Sequence, residues 1–506
     1  MAAGEPGSSA ADGGVIAAKR SDGRVGVVDI GSNTVRLVVY DAPARLPIPI
    51  FNEKAQCELG SGLAKSGRLN PKGVTEALRS LARFVELAAA MDVGHIELVA
   101  TAAVRDASDG PAFVERAERT CGLPVHVLSG EEEARLAAVG LRHGTRGADG
   151  VLGDLGGGSL DLVGLDGGEI GAFATLPLGH LRLSETCDGN REQARRVLAE
   201  WLATVPWLAE TTGRSVYAVG GSWRALARIF IEQTHHPLHV VDNFTIGFFD
   251  ALRLSDLIAG LSRNTMEMLS GIARRRIDTL PYAAMALSAL LQVTRPSQVV
   301  FSALGMREGQ MLELLPSALR GQDPLISACE SQAERTGRFT AHGREIHDWM
   351  TPLFRTETEE QCRLRLATCL LSDIGWSEHP DYRALHSYHR VLRIPYPRLT
   401  HSDRAEMALA ILVRYDGDPE DRMVAPHRNL LDDQRQFRAR VIGLALKLAH
   451  TLSGGAPGLL SQTRLRAKNG RLTFEVPDNR AVFVGEALDR RFKTLARAVE
   501  ARPNAG

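Results

Sequence analysis

Two similar stretches, DIGSNTVRLVV beginning at Asp29 and DLGGGSLDLVG beginning at Asp154, decide the fold of this chain. Aligned without gaps, they share an Asp, an aliphatic residue, a Gly and a run of small residues, followed by a hydroxyl residue (Thr34 or Ser159) and a second aliphatic run. Aliphatic and β-branched residues on both sides of a glycine-rich centre are typical of two strands joined by a tight turn. The sequence therefore predicts a duplicated β-hairpin with Asp29 and Asp154 at equivalent positions.

Length and composition limit the classes of protein that fit. The chain has 506 residues, with 60 basic and 60 acidic side chains and a formal net charge of zero, which argues against a nucleic-acid partner. The six cysteines form no CxxC pair, as expected of reduced thiols. No apolar run is long enough for a signal peptide or a membrane span, so residues 1–24 are predicted to be a disordered tail and the protein to be cytoplasmic, with no membrane partner.

The order of the predicted elements indicates four structured domains. Strands and helices alternate over residues 25–145 and again over 146–318, which predicts two α/β lobes. Helical patterns rich in Leu, Arg and Ala follow over 319–458 and predict an all-helical domain. The Asn469-Gly470 turn between strand-like segments, followed by an amphipathic helix, predicts a small α+β domain over 459–506.

A duplicated glycine-rich hairpin can bind a phosphate chain. Glycines leave room for backbone amides to surround an anion, and the hydroxyls of Thr34 and Ser159 add donors. A carboxylate at the strand end can hold Mg²⁺ against the phosphate. No Lys-Ser or Lys-Thr pair follows the glycines, so the pattern differs from a Walker loop. The alternative is that both are ordinary hairpins with glycine-rich turns.

The segments DIGSNTVRL, TAAVRDASD, SGEEEARL, DLGGGSLDL and VGGSWRALA occur in an order that resembles the exopolyphosphatase / guanosine pentaphosphate phosphatase family, within the actin, sugar-kinase and heat-shock-ATPase superfamily. The resemblance covers roughly residues 25–316 and implies two lobes of a duplicated ribonuclease H-like fold. LLSDIGW resembles the degenerate HD-type domain of the long exopolyphosphatases. The resemblance implies a homodimeric hydrolase, dependent on Mg²⁺ or another divalent cation, that removes terminal phosphates from inorganic polyphosphate.

The resemblance places the catalytic carboxylate of the family at Glu133. Ser129 and Glu132 have the spacing of a helix capping box, and Glu131 suits the first helical turn, so both acids have structural reasons to be present. Glu133 is interpreted as the general base that deprotonates the attacking water. The alternative is one more acid in the first turn of a helix.

The resemblance also assigns the remaining site residues. Arg105 is expected to bind phosphate oxygens and to stabilise charge in catalysis, although such an Arg can instead be an ion-pair partner. Asp161 stands where relatives carry Glu and is expected to assist catalysis, and Asp29 and Asp154 are expected to hold the metal. The expected substrate-binding residues, besides Arg105, are Gly31, Ser32, Asn33, Thr34, Gly156, Gly157, Gly158, Ser159, Gly221 and Ser222.

Three weaker patterns have both structural and functional interpretations. HHPLH (His235, His236 and His239) is interpreted as a polar loop rather than a metal site. Ser372 stands before Asp373 where an active HD enzyme carries His, so Asp373 is interpreted as a helix-end residue. Two basic clusters either steer a polyanion or form solvated helix faces; they comprise Arg274 to Arg276, and Arg335, Arg338 and Arg344.

Four functions follow from these patterns. Exopolyphosphatase activity is the first hypothesis, and hydrolysis of guanosine pentaphosphate is the second, because both substrates end in a phosphoanhydride. A non-catalytic sensor of polyphosphate or an alarmone is the third, and an ATP-dependent kinase ranks lowest.

Overall fold

The structure is a computed structural model that describes residues 23–41, 48–268, 274–336, 341–468, 471–477, 481–483 and 485–500. The tail predicted over residues 1–24 falls almost entirely outside these ranges. Within them, no helix is long and apolar enough to cross a membrane.

The first lobe contains a five-stranded sheet flanked by helices. Its elements are β1 (Arg24–Ile30), β2 (Thr34–Tyr40), β3 (Pro49–Gln56), α1 (Leu63–Ser66), α2 (Pro71–Ala90), β4 (Val93–Ala100), α3 (Ala102–Asp106), α4 (Gly110–Cys121) and β5 (Val125–Val127). The strand order is β3-β2-β1-β4-β5, with β1 antiparallel to β2 and parallel to β4.

Helix α5 (Gly130–Gly144) follows the first sheet, and the second lobe contains a six-stranded sheet. The elements after α5 are β6 (Gly150–Leu155), β7 (Leu160–Asp166), β8 (Glu169–Leu176), α6 (His180–Thr186), α7 (Arg191–Ala203), β9 (Ser215–Val219), α8 (Gly221–Gln233), β10 (Phe244–Gly247), α9 (Phe248–Gly260), α10 (Arg263–Met268), α11 (Leu280–Thr294), β11 (Gln298–Phe301), α12 (Met306–Glu313) and α13 (Ser317–Arg320).

The two sheets repeat one topology. The order β8-β7-β6-β9-β11 in the second lobe reproduces β3-β2-β1-β4-β5 in the first, and β10 adds one antiparallel strand at the edge. In each lobe the first strand forms a hairpin with the second and runs parallel to the fourth member of the repeat. The prediction of a duplicated α/β fold is therefore confirmed.

Helix α5 joins the hydrophobic cores of both lobes. Its Ala134 packs in a cluster with Leu152 of β6, whereas its Leu136 packs with Val27 of β1 and with Met311 of α12. The helix therefore has a fixed position relative to both hairpins, and its assignment to the first lobe, from the predicted boundary at residue 145, remains a prediction.

The last part of the chain is helical and ends in a hairpin and a helix. Its elements are α14 (Pro324–Thr336), α15 (His342–Met350), α16 (Glu359–Leu370), α17 (Arg383–Leu392), α18 (His401–Arg414), α19 (Ala425–Arg428), α20 (Asp433–Ser453), β12 (Arg464–Lys468), β13 (Arg471–Glu475) and α21 (Glu486–Glu500). Strands β12 and β13 pair from Arg464 with Glu475 to Lys468 with Arg471, so the predicted hairpin is present, while Asn469 and Gly470 lie outside the described residues. Leu465 and Leu495 share one hydrophobic core with Leu446 of α20, so the hairpin and last helix pack onto the helical region.

Candidate active site

The tips of the two hairpins have the same geometry and meet each other. The Gly31 amide donates to the carbonyl of Thr34 at 3.0 Å, and the Gly156 amide donates to the carbonyl of Ser159 at the same distance. A Cβ added at Gly158 would lie 3.2 Å from Oγ of Ser32, so the second tip is in contact with the first. The hairpins therefore form two sides of one cleft.

This cleft has a volume of about 430 Å³ and contains nearly all the predicted site residues. Arg105 is not among the residues that line it. The predicted residues that do line it are Asp29, Gly31, Ser32, Asn33, Thr34, Glu133, Asp154, Gly156, Gly157, Gly158, Ser159, Asp161, Gly221 and Ser222.

Glu133 reaches the cleft because of how its helix begins. Ser129 caps α5: its Oγ accepts from the amide of Glu132 at 3.2 Å, and Glu132 Oε2 accepts from the amide of Ser129 at 2.8 Å. The capping box therefore fixes Glu132, as predicted, and leaves Glu133 free to face the cleft with 13% of its side chain exposed. Its Oε2 accepts a hydrogen bond from Nη1 of Arg105 at 2.5 Å.

Arg105 lies on α3 behind Glu133 and does not face the substrate side of the cleft. The same Nη1 donates to the backbone carbonyl of Leu128 at 3.0 Å. Burial lowers the pKa of Arg105, but Glu133, Asp106 and Asp161 together raise it above its usual value, so the guanidinium stays protonated. Arg105 therefore forms the ion pair of the structural alternative, with Glu133 as its partner, and its direct contact with phosphate stays a prediction.

The carboxylates of the cleft bind protons more tightly than free acids do. Burial raises the pKa of Glu133 well above its usual range and Asp161 raises it further, while Arg105 opposes both effects. Burial and the charge of Asp154 raise the pKa of Asp161 to about 7, and burial raises that of Asp154 to about 6. The pKa of Asp29 is also raised by burial, against the charges of nearby arginines. Binding of a proton or a cation would therefore stabilise the four acids of this cleft.

The carboxylates of the cleft suit a divalent cation that takes some of its ligands from the protein and others from the substrate. Asp29 and Asp154 line one cavity, and Oδ1 of Asp161 is buried without a hydrogen bond of normal geometry. Within the described ranges, no group of three or more His, Cys, Asp or Glu side chains is close enough to enclose a metal. Mg²⁺ commonly takes one or two carboxylates and completes its shell with water and phosphate oxygens, so two aspartates are sufficient.

Four basic residues of the cleft were not assigned from the sequence, namely Arg36, Lys54, Arg224 and Arg307, whereas a fifth, Arg276, belongs to a cluster predicted either to steer a polyanion or to form a solvated face. Arg36 lies opposite Asp29 in the first hairpin, and Nε of Arg307 lies 3.9 Å from Oδ2 of Asp29. Burial, followed by the charge of Arg307, lowers the pKa of Arg36 to about 10, which leaves it protonated at neutral pH. A signal existed for Arg307, because ALGMREG repeats the strand, glycine and helix order of AVGGSWRAL.

Profiles of two protein families match the chain. That of the Ppx/GppA phosphatase family matches residues 38–318, which covers both hairpin lobes apart from β1 and the start of β2. The chain belongs to this family. A second profile, of the C-terminal region of exopolyphosphatases, matches residues 325–503, so it covers the helical region of this Ppx/GppA protein together with its last hairpin and helix.

Individual relatives support the family assignment. The chain is 28% identical over 313 residues to Exopolyphosphatase 1 of Mycobacterium bovis, which covers 59% of this chain and 90% of that protein. A crystal structure of an exopolyphosphatase from Cytophaga hutchinsonii superposes with a TM-score of 0.53 at 22% identity, over 58% of this chain and 99% of that one. An exopolyphosphatase-like protein gives a TM-score of 0.52 at 22% identity, over 57% and 97% of the two chains. These structural matches show that the two-lobed fold is shared.

In the glycine motif at the start of α8, Trp223 and Arg224 point in different directions. Trp223 does not crowd the cleft, because its side chain is buried in the lobe and its Nε1 donates to the carbonyl of Ala283 at 2.9 Å. Arg224 lines the cleft instead, and Nη1 of Arg276 donates to Oγ of Ser222 at 3.3 Å. The helical period explains this, since adjacent residues of a helix point in different directions.

The remaining sequence patterns of this Ppx/GppA protein lie away from the cleft. His236 Nε2 contacts His401 Nδ1 at 2.6 Å, which joins the second lobe to the helical region. Asp373 is more than a helix-end residue, because it pairs with Arg414 at 3.1 Å and lies 3.6 Å from His450. Among the described side chains of the basic clusters, Arg276 alone lines the cleft, and Arg335 and Arg344 bond to residues of α14. Arg338 is outside the described residues.

Proposed function

We propose that the protein is an exopolyphosphatase that hydrolyses the terminal phosphoanhydride of inorganic polyphosphate and releases orthophosphate. The observation that carries this proposal is the position of Glu133. Its carboxylate lies in the cleft between two glycine-rich hairpin tips and is held by Arg105. The relative named Exopolyphosphatase 1 and the match to the exopolyphosphatase C-terminal profile support the same activity.

Glu133 acts on the attacking water. Its Oε2 is held by Arg105, so its other carboxylate oxygen can accept the proton of a water that attacks the terminal phosphorus. Its raised pKa, caused first by burial, makes it a stronger base once ionised. The ion pair with Arg105 keeps it ionised closer to neutral pH than burial alone would permit.

The hairpins and the basic residues hold the phosphate chain. Ser32, Asn33, Gly157 and Gly158 line the cleft at the two tips, where their backbone amides would donate to phosphate oxygens. Such preorganised donors stabilise the charge that develops on the transferring group. Arg36, Arg224 and Arg276 line the same cavity and would neutralise phosphates further along the chain.

Asp29 and Asp154 would hold Mg²⁺ or another divalent cation. When bound, the cation would neutralise phosphate oxygens and satisfy the two buried carboxylates. The hydroxyl of Ser159 donates to Oδ2 of Asp161 at 3.1 Å, which orients that carboxylate beside Asp154.

The decisive measurement is orthophosphate release from long-chain polyphosphate with Mg²⁺, with guanosine pentaphosphate and ATP assayed in parallel. We expect rapid release from polyphosphate in the wild type. Glu133→Gln should lower turnover by a factor of about 10² to 10⁴, the usual contribution of a general base, while polyphosphate binding persists. Glu131→Gln is the matched control, because Glu131 lies in the same helical turn outside the cleft lining.

Other outcomes of this assay would replace the proposal. A higher kcat/KM for guanosine pentaphosphate than for polyphosphate would make the nucleotide the main substrate. Polyphosphate binding without phosphate release under any divalent metal would indicate a sensor. Wild-type turnover in Glu133→Gln would reject Glu133 as the base.

Assembly as a homodimer is a further part of the proposal, and it is supported only by the family resemblance. Sedimentation at micromolar concentration tests it, and a monomer under those conditions would contradict it.

A further inference from the structure

A chain of charged side chains runs from the second lobe to Glu133. Arg182 on α6 donates from Nη2 to Oδ2 of Asp106 at 2.5 Å, across the contact between the lobes. Oδ1 of the same Asp106 accepts from Nε of Arg105 at 3.4 Å. Nη1 of Arg105 then donates to Oε2 of Glu133 at 2.5 Å. The guanidinium that holds the general base is therefore held by Asp106 of its own lobe, and Asp106 is held in turn by Arg182 of the opposite lobe.

The contacts that link Arg182 to Glu133 are partly buried, which makes them stronger than ion pairs on the surface. The side chains of Arg182 and Asp106 are 21% and 33% exposed, and those of Arg105 and Glu133 are 22% and 13% exposed. Lys65 and Asp188 form another interlobe pair at 2.5 Å, with side chains that are 63% and 75% exposed. This pair is separate from the series of contacts between Arg182 and Glu133. Exposed pairs of that kind contribute little to stability, whereas partly buried charges are screened less by water and salt.

We propose that Arg182 and Asp106 are positioning residues that fix Arg105 against Glu133 when helix α6 of the second lobe is docked on the first. This inference rests on the proposed role of Glu133 as the general base. It adds that contact between the lobes sets the orientation of Glu133. This orientation therefore depends on how the two hairpins are brought together.

The charges around Glu133 explain why the orientation of Arg105 matters. Arg105 faces it from α3, while Asp161 of β7 and Asp154 of β6 act on it from the second hairpin. The two aspartates favour the protonated form of Glu133, and Arg105 favours the ionised form. If Arg105 turns away, the carboxylate loses its hydrogen-bond partner and is left with two repelling acids.

The test compares phosphate release from polyphosphate by wild type, Arg182→Gln and Asp106→Asn. We expect kcat to fall by roughly 10- to 100-fold in both variants, as small misplacements of catalytic groups do, with little change in KM. The acid limb of the pH–rate profile should move to higher pH, because a less well held Arg105 stabilises the ionised form of Glu133 less. Arg182→Lys should recover part of kcat, since it keeps the charge.

Two controls separate positioning from a general role in lobe docking. Lys65→Gln removes an interlobe ion pair between the neighbouring α1 segment and the end of α6, and it should keep the wild-type kcat and pH profile. In an Arg105→Gln background, Arg182→Gln should have no further effect, because a residue that acts through Arg105 has nothing left to orient. Thermal unfolding of each variant shows whether it is folded.

Each contrary result has a distinct meaning. A wild type that releases no phosphate overturns the proposed function and this inference with it. An active wild type overturns this inference alone if Arg182→Gln keeps its kcat, raises only KM, or retains its full effect in the Arg105→Gln background. An equal loss in Lys65→Gln also overturns it.

Discussion

The two hairpins share a backbone but differ in charge at one equivalent position. Strand pairing places Arg36 opposite Asp29 in the first hairpin and Asp161 opposite Asp154 in the second. The pair in the first hairpin is an acid and a base, so Arg36 opposes the raised pKa of Asp29. The pair in the second is two acids, so the charge of Asp154 adds to burial in raising the pKa of Asp161. The two hairpins thus have similar glycine-rich turns, and a single side chain gives them different charge.

Displacing the tip of one hairpin and not the other should have the largest effect on activity. A Cβ at Gly179 would lie 2.3 Å from the backbone of Gly157 and Gly158, whereas a Cβ at Gly60 would lie 3.1 Å from Cβ of Ser32. Gly179→Ala must therefore push the second tip, and we expect phosphate release to fall by about 10²-fold. Gly60→Ala should cost less than tenfold. Equal losses in the two variants would show that tip position is not limiting.

Removing the charge that differs between the hairpins should separate binding from turnover. Arg36→Met deletes a cation from the cleft, and we expect KM for polyphosphate to rise by roughly 10-fold, as for loss of one charged hydrogen bond, with little change in kcat. Asp161→Asn should instead lower kcat, because it removes a carboxylate next to Glu133 and Asp154. Steady-state kinetics on both variants measures kcat and KM. A fall in kcat in Arg36→Met but not in Asp161→Asn would contradict the roles assigned to the two residues.

The smallest expected effect is on the pH dependence of stability. The pKa of Asp161 is raised from 3.8 to about 7, first by burial and then by Asp154, so between these values the folded state holds a proton that the unfolded state has lost. Its contribution to stability is present below pH 3.8 and is lost as pH rises through about 7. Without divalent metal, the free energy of unfolding should therefore decrease less from pH 5 to pH 7.5 in Asp161→Asn than in the wild type.

Urea unfolding with a chelator present measures this slope. Asp166→Asn is the matched control, since Asp166 lies on the same strand with a side chain that is 95% exposed. It should keep the wild-type slope, and a wild-type slope in Asp161→Asn would mean that Asp161 titrates in the normal range for a carboxyl.

Local patterns in the sequence were sufficient to predict the fold and most of the residues that line the cleft. The repeated hairpins, the alternation of strands and helices, and the Ser129 to Glu132 capping box are all encoded within short windows, so they were predicted and are present. The glycines and hydroxyls of both tips line the cleft as expected.

The contacts that could not be predicted are those between distant segments. Arg307 comes close to Asp29 although the two are far apart in the chain, and Arg105 pairs with Glu133 across two elements. One sequence indicates which residue types are present at strand ends, but not which guanidinium reaches which carboxylate. Asp373 shows the same limit, because its burial and its pairing with Arg414 depend on how α18 and α20 pack around it.

The shared core of the C-terminal region affects the order in which the chain can fold during synthesis. Leu465 of β12 and Leu495 of α21 are buried against the same cluster as the helices from α14 to α20. The two lobes can complete their sheets as soon as β11 and α12 have left the ribosome. The helical region must wait for α21, and until then an apolar surface that the last helix will cover is open to chaperones and to other chains.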